Sequence, residues 1–64
     1  MNHSEVIHSY ILKNKKVTTE EILKITGLRK VTVQRVLNHL RTSGYLRKDD
    51  NGFWVDGLEW TKNF

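Results

Sequence analysis

Thr26-Gly27-Leu28-Arg29-Lys30-Val31-Thr32-Val33-Gln34-Arg35-Val36-Leu37 reads as a tight turn that opens into an amphipathic helix. Gly27 supplies the turn, because glycine takes a positive φ at little steric cost, and Leu28 plugs it. Val33, Val36, Leu37 and Leu40 then recur at i, i+3, i+4 and i+7, which is one buried stripe on a helix. The spacing predicts a helix over about residues 30–43. Gly44 caps its C-terminus, with Tyr45 or Leu46 folding back onto the last turn.

Upstream of the turn, Thr18 and Glu21 have capping-box spacing and open a short helix of about eight residues. Ile22, Leu23 and Ile25 are expected on its core side. Further upstream, Asn2 or Ser4 can cap a first helix, and Asn2 with Glu5 again has the capping-box spacing. Val6, Ile7, Tyr10 and Ile11 form the buried stripe of that helix, which the polar run Lys13-Asn14-Lys15-Lys16 ends. Val17 is enough for one short extended segment.

Beyond Gly44 the period changes. Residues 45–48 and 53–55 are short β-type runs flanking Asp49-Asp50-Asn51-Gly52, and Asn-Gly is a strong hairpin-turn signal. Trp54 is expected to close the core from the second strand, with Phe53 and Val55 pointing the other way. The predicted fold is mainly α with a small β-hairpin. Helix, short strand, helix, turn, helix and hairpin make a winged helix-turn-helix, a three-helix core plus a wing. Residues 1–64 form one such domain, with about 58–64 as a C-terminal tail that either packs back over Phe53 and Val55 or forms a dimer contact.

With 64 residues, one domain is the ceiling, and a domain of this size buries only about 60% of the surface of its unfolded chain. A catalytic pocket with a supporting shell is hard to fit, so no enzyme is expected. The chain has no cysteine, which excludes disulfides, a zinc knuckle and a thiol nucleophile. His3, His8 and His39 lack metal-ligand spacing, and the adjacent carboxylates Glu20-Glu21 and Asp49-Asp50 do not face one another. No cofactor is expected. Apolar runs of at most three residues fall far short of the roughly 20 that span a membrane. No secretion leader is visible, which suits a cytoplasmic protein.

The distribution of charge is more informative than the net +4. Residues 22–48 hold Lys24, Arg29, Lys30, Arg35, Arg41, Arg47 and Lys48 and no acid. The acids lie outside, at Glu5, Glu20, Glu21, Asp49, Asp50, Asp56 and Glu59. Such a basic block is the electrostatic footprint of a polyanion partner, and nucleic acid is the natural one.

The run 26–37, followed by Leu40 and by Gly44-Tyr45-Leu46-Arg47-Lys48-Asp49-Asp50-Asn51-Gly52, resembles bacterial winged-helix transcription regulators. It is most similar to the DNA-binding domain of the IclR-type regulators. There, "TGL, two or three residues, TV, x, R, two apolars" leads through the recognition helix to "GYL, two basics, an acidic turn, G". The resemblance covers about residues 18–55. It departs at Arg29 and Val31, where the family has serine or proline and serine. It also lacks the effector-binding domain that follows the wing in that family, so no small-molecule effector domain is expected. The resemblance implies a small repressor-like regulator of a bacterium, phage or plasmid, nucleoid-associated when bound, that reads double-stranded DNA with its third helix in the major groove. The Met1 start favours a stand-alone switch over an excised domain.

Opposite the buried stripe, the third helix presents Val31, Gln34, Arg35 and Asn38, the expected base contacts. Arginine can bond guanine, glutamine or asparagine can bond adenine, and valine can pack a thymine methyl. Arg29, Lys30 and Thr32 sit at the helix N-terminus, where free amides and the dipole favour phosphate. With Thr18, Thr19, His39, Arg41, Arg47 and Lys48 they are the expected backbone contacts. Asp49 and Asp50 are expected to cap their own turn. Phe53, Val55, Leu58, Trp60 and Phe64 are the expected dimer or partner surface, since such regulators commonly bind two half-sites. The same apolar set supports an alternative, a winged-helix protein–protein interaction module of a larger assembly.

Overall fold

The computed structural model describes residues 2–58. Helix α1 (His3–Asn14) starts at Asn2, whose side chain accepts the Glu5 backbone N–H at 2.9 Å. Ile7 and Ile11 are fully buried and Tyr10 packs beside them. Val6 departs from the expected stripe and is 40% exposed. It falls a third of a turn before Ile7, at the edge of the stripe, and lines a shallow surface groove with His3, Ile25, Thr26 and Leu28. The helix ends at Lys15, which has φ 73° and ψ −54°. These angles lie close to the strained γ-turn geometry that redirects a chain within three residues. Strand β1 (Lys16–Val17) follows, with Val17 fully buried.

Helix α2 (Thr19–Thr26) opens with the complete capping box. The Glu21 N–H donates to Thr18 Oγ1 at 3.1 Å, and the Thr18 N–H donates to Glu21 Oε1 at 3.4 Å. Gly27 ends the helix at φ 67°, its N–H donating to the Leu23 carbonyl at 3.0 Å. Ile22 is buried, and Leu23 and Leu28 pack against the core, but Ile25 is 48% exposed. A helix of two turns against so small a core covers one narrow stripe, and Ile25 lies beyond it.

Helix α3 (Lys30–Thr42) buries Val33, Leu37 and Leu40 and half-buries Val36, as the stripe predicts. Its C-terminus is a Schellman motif: the Tyr45 N–H donates to the Leu40 carbonyl at 2.9 Å and the Gly44 N–H to the Arg41 carbonyl at 3.1 Å. Gly44 takes φ 88°, which a side chain would resist. Leu46 is the residue that folds back into the core, while Tyr45 stays on the surface and sets its ring against His8, with centroids 5.6 Å apart.

Strands β2 (Leu46–Lys48) and β3 (Trp54–Asp56) form the wing, and β1 pairs with the other edge of β3, giving an antiparallel sheet in the order β1-β3-β2. Lys16 and Arg47 both lie opposite Val55, whereas Val17 and Lys48 both lie opposite Trp54. Alternation therefore puts Lys16, Val55 and Arg47 on the outer face and Val17, Trp54 and Lys48 on the inner face. Phe53 and Val55, expected to point away from Trp54, are half-buried. Lys16 contributes to this cover, its Nζ standing 4.9 Å from the centre of the Phe53 ring.

Asp49 organises the turn of the wing. Its Oδ1 accepts the N–H groups of Asn51 and Phe53, each at 2.9 Å. Its own N–H reaches the Phe53 carbonyl at 2.9 Å, and its carbonyl accepts the Gly52 N–H at 3.1 Å. This is a three-residue loop with a glycine bulge, not the two-residue turn that Asn-Gly most often makes. One acid of the expected pair does the capping. Gly57 then runs against the end of α3, its N–H donating to the Tyr45 carbonyl at 2.9 Å. The core comprises Ile7, Ile11, Val17, Ile22, Val33, Leu37, Leu40, Leu46 and Trp54, and among the described residues no polar side chain is buried with it.

Candidate nucleic-acid interface

The stripe that buries Val33, Leu37 and Leu40 turns the opposite face of α3 outward. Val31, Gln34, Arg35 and Asn38 are all exposed there, and Val31 keeps 58% of its surface open. These positions are spaced at i, i+3, i+4 and i+7, so the structure gathers the four expected base contacts on one ridge. His39 and Arg41 are exposed on its flanks, and Thr32 is half-buried.

At the N-terminus of α3, Arg29 provides no side-chain cap. Its carbonyl accepts the N–H groups of Thr32 and Val33 at 3.0 and 3.1 Å. Arg29 and Lys30 are exposed there, so positive side chains and the positive end of the helix dipole coincide.

The two threonines at the start of α2 also serve the fold. The Thr18 hydroxyl accepts from the Glu21 N–H and donates to the Glu21 carboxylate, so its hydrogen-bonding capacity goes to the cap. Thr19 Oγ1 accepts the indole Nε1–H of Trp54 at 3.0 Å. Its role is first to fix the wing.

The wing divides its two basic residues. Arg47 lies on the outer face of the sheet, across Val55 from Lys16. Lys48 lies on the inner face, with Nζ 5.1 Å from the centre of the Trp54 ring. It lines a cleft of about 280 Å³ with Thr19, Gln34, Asn38, Arg41 and Trp54, floored by Leu37. Sequence reasoning missed Lys16 as a neighbour of Arg47, because the pairing of β1 with β3 has no local signal. It also gave Trp54 a core role only, whereas the ring is 4% exposed and still presents an edge to Thr19 and a face to Lys48.

Of the apolar partner surface, Leu58 is 41% exposed, with its N–H bonded to Asp56 Oδ1 at 2.9 Å. Trp60 and Phe64 lie outside the described residues. Among the described residues, no group of histidines and carboxylates could hold a metal ion, and no helix is long and apolar enough to cross a membrane.

The model of the MarR family matches residues 9–52, from the middle of α1 to the turn of the wing. The chain belongs to the MarR family. Membership makes it a winged-helix DNA-binding domain of the transcription-regulator class, in agreement with three helices and a small antiparallel wing. The resemblance to IclR-type regulators holds only for that shared fold, since the family matched is MarR. No curated protein and no solved structure matches the chain. In this MarR-family chain, α2 and α3 are the helix-turn-helix, and the ridge of α3 stands exposed.

Proposed function

We propose that this MarR-family chain is a small repressor-like regulator that binds double-stranded DNA sequence-specifically, with α3 in the major groove. The observation that carries the reading is the ridge Val31, Gln34, Arg35 and Asn38, which stands exposed within a 22–48 segment that has seven cations and no acid. Arg35 and Gln34 are the bidentate readers of guanine and adenine, and Val31 packs a thymine methyl. Arg29, Lys30, Arg41 and Lys48 hold the phosphates. In this reading it is a binding protein and not an enzyme, supported by the basic 22–48 segment, and works in the cytoplasm of a bacterium or for a phage. It acts as a homodimer, because a unit this small neutralises few phosphates and two half-sites multiply the affinity.

Fluorescence anisotropy with labelled random duplexes, titrated across salt, tests this reading. The expected result is micromolar binding whose logarithm falls with log salt at a slope of about −3 to −7. A site selected from the same pool should be a palindrome. Absence of binding at low salt would sink the proposal. It would favour a protein-interaction module working through the outer wing face, where Phe53 and Val55 are flanked by Lys16 and Arg47.

A further inference from the structure

A helix in the major groove is flanked by the two sugar-phosphate strands that border it, so one strand passes through the space beside the helix. In this chain that space is the cleft between α3 and the wing. We propose that it is a seat for a single backbone phosphodiester, held by Arg41, Lys48 and Asn38, so that Asn38 positions the DNA and does not read it. The inference rests on the DNA-binding reading above and goes further by taking one residue out of the base-reading set.

The chemistry of the lining supports an anion. Arg41 and Lys48 bring two positive charges, Asn38 and Gln34 bring amide N–H donors, Thr19 brings a hydroxyl, and no carboxylate of the described residues lines the cleft. Thr19 Oγ1 already accepts the Trp54 N–H, which leaves its own proton to donate. Leu37 and Trp54 form an apolar floor, and charge-assisted hydrogen bonds gain strength beside a surface that excludes water.

The cleft is also held in shape before DNA arrives. Trp54 is pinned on three sides: it is buried, its indole N–H is bound to Thr19, and its strand is paired on both edges. Its ring in turn holds the Lys48 ammonium at 5.1 Å by cation–π attraction. A lysine so placed loses less conformational freedom on meeting a phosphate than one at a free hairpin tip. Gln34, Asn38 and Arg41 follow at i, i+4 and i+7 and line the cleft together, so Asn38 stands where the ridge that carries Arg35 borders the cleft.

The test uses the full chain and its selected duplex. Asn38→Ala, Arg41→Ala and Lys48→Ala should each weaken binding about tenfold on every duplex, leaving the base preference unchanged. Arg41→Ala and Lys48→Ala should each also lower the salt slope by about one. In a scan of single methylphosphonate substitutions, several positions should weaken the wild-type chain, and at one of them in each half-site Lys48→Ala should cause no further loss. All three side chains are exposed, so circular dichroism of each variant should match the wild type. A changed preference at one base pair in Asn38→Ala overturns this assignment alone, as does a Lys48→Ala effect that no single methylphosphonate silences. Wild-type protein that binds no duplex overturns the DNA-binding reading as well.

Discussion

The indole Nε1 of Trp54 donates to Oγ1 of Thr19 at 3.0 Å, across 35 positions of sequence. The bond joins the central strand of the wing to the first residue of α2. It couples α2 to the inner face of the wing, because the same indole ring carries Lys48. The helix-turn-helix and the wing therefore share one anchoring residue.

Trp54→Phe keeps an aromatic ring in the core and removes this bond. The expected cost is about 1–2 kcal/mol of stability, the loss of one hydrogen bond and some buried surface. Urea denaturation of the two proteins measures it. An unchanged midpoint would mean that the Thr19 contact holds nothing.

Gly57 has a different constraint. A Cβ there would stand 2.8 Å from the Gly44 carbonyl oxygen, 3.0 Å from Leu46 C and 3.1 Å from Leu46 N, all backbone atoms that cannot swing aside. Gly57→Ala is expected to destabilise by about 1–3 kcal/mol, as overpacking does. In thermal unfolding the variant should melt below the wild type, and an equal melting temperature would show that the chain moves away from α3 at no cost.

Lys15 offers the opposite opportunity. It is the only non-glycine residue with positive φ among the described residues, at 73°. Lys15→Gly relieves that strain and should stabilise the fold by about 1 kcal/mol, read as a higher denaturation midpoint with α1 intact. A lower midpoint would show that the lysine contributes more than its backbone costs.

Arg35 and Lys30 separate reading from holding. Arg35→Ala should remove about 1–3 kcal/mol of affinity for the preferred site and leave non-specific binding nearly intact. Lys30→Ala should weaken binding to all sequences and flatten the salt dependence. Anisotropy against a selected and a scrambled duplex at several salt concentrations distinguishes them. A uniform loss in Arg35→Ala would place that arginine on a phosphate.

Most of this fold is legible because its boundaries are local chemistry. Thr18 with Glu21, Gly27, Gly44 and Asp49 each fix a helix end or a turn through partners within five residues, and all behave as read. Val6 and Ile25 escape because helical period reveals which residues are apolar but not how far a small core extends beneath them. They end up lining one surface groove. β1 escapes for another reason. Two residues, Lys16 and Val17, carry no periodicity, and their partner strand lies at the far end of the chain.

The site divides along the same line. The ridge of α3 follows from its own stripe, so Val31, Gln34, Arg35 and Asn38 could be placed without knowing the rest of the molecule. Which of the neighbours Arg47 and Lys48 faces that ridge depends on sheet register, which only the paired strands settle.

Because Val17 meets Trp54 across β1 and β3, the sheet closes a loop that spans most of the chain. Long-range closure of this kind is slow compared with helix formation. The short helices gain most of their stability from a core that includes Leu46 and Trp54 of the wing. The cleft beside α3, with Lys48 in place, comes into being only after β3 has paired. The ridge of α3 is thus a local product of one helix, whereas the cleft beside it is a product of the closed sheet.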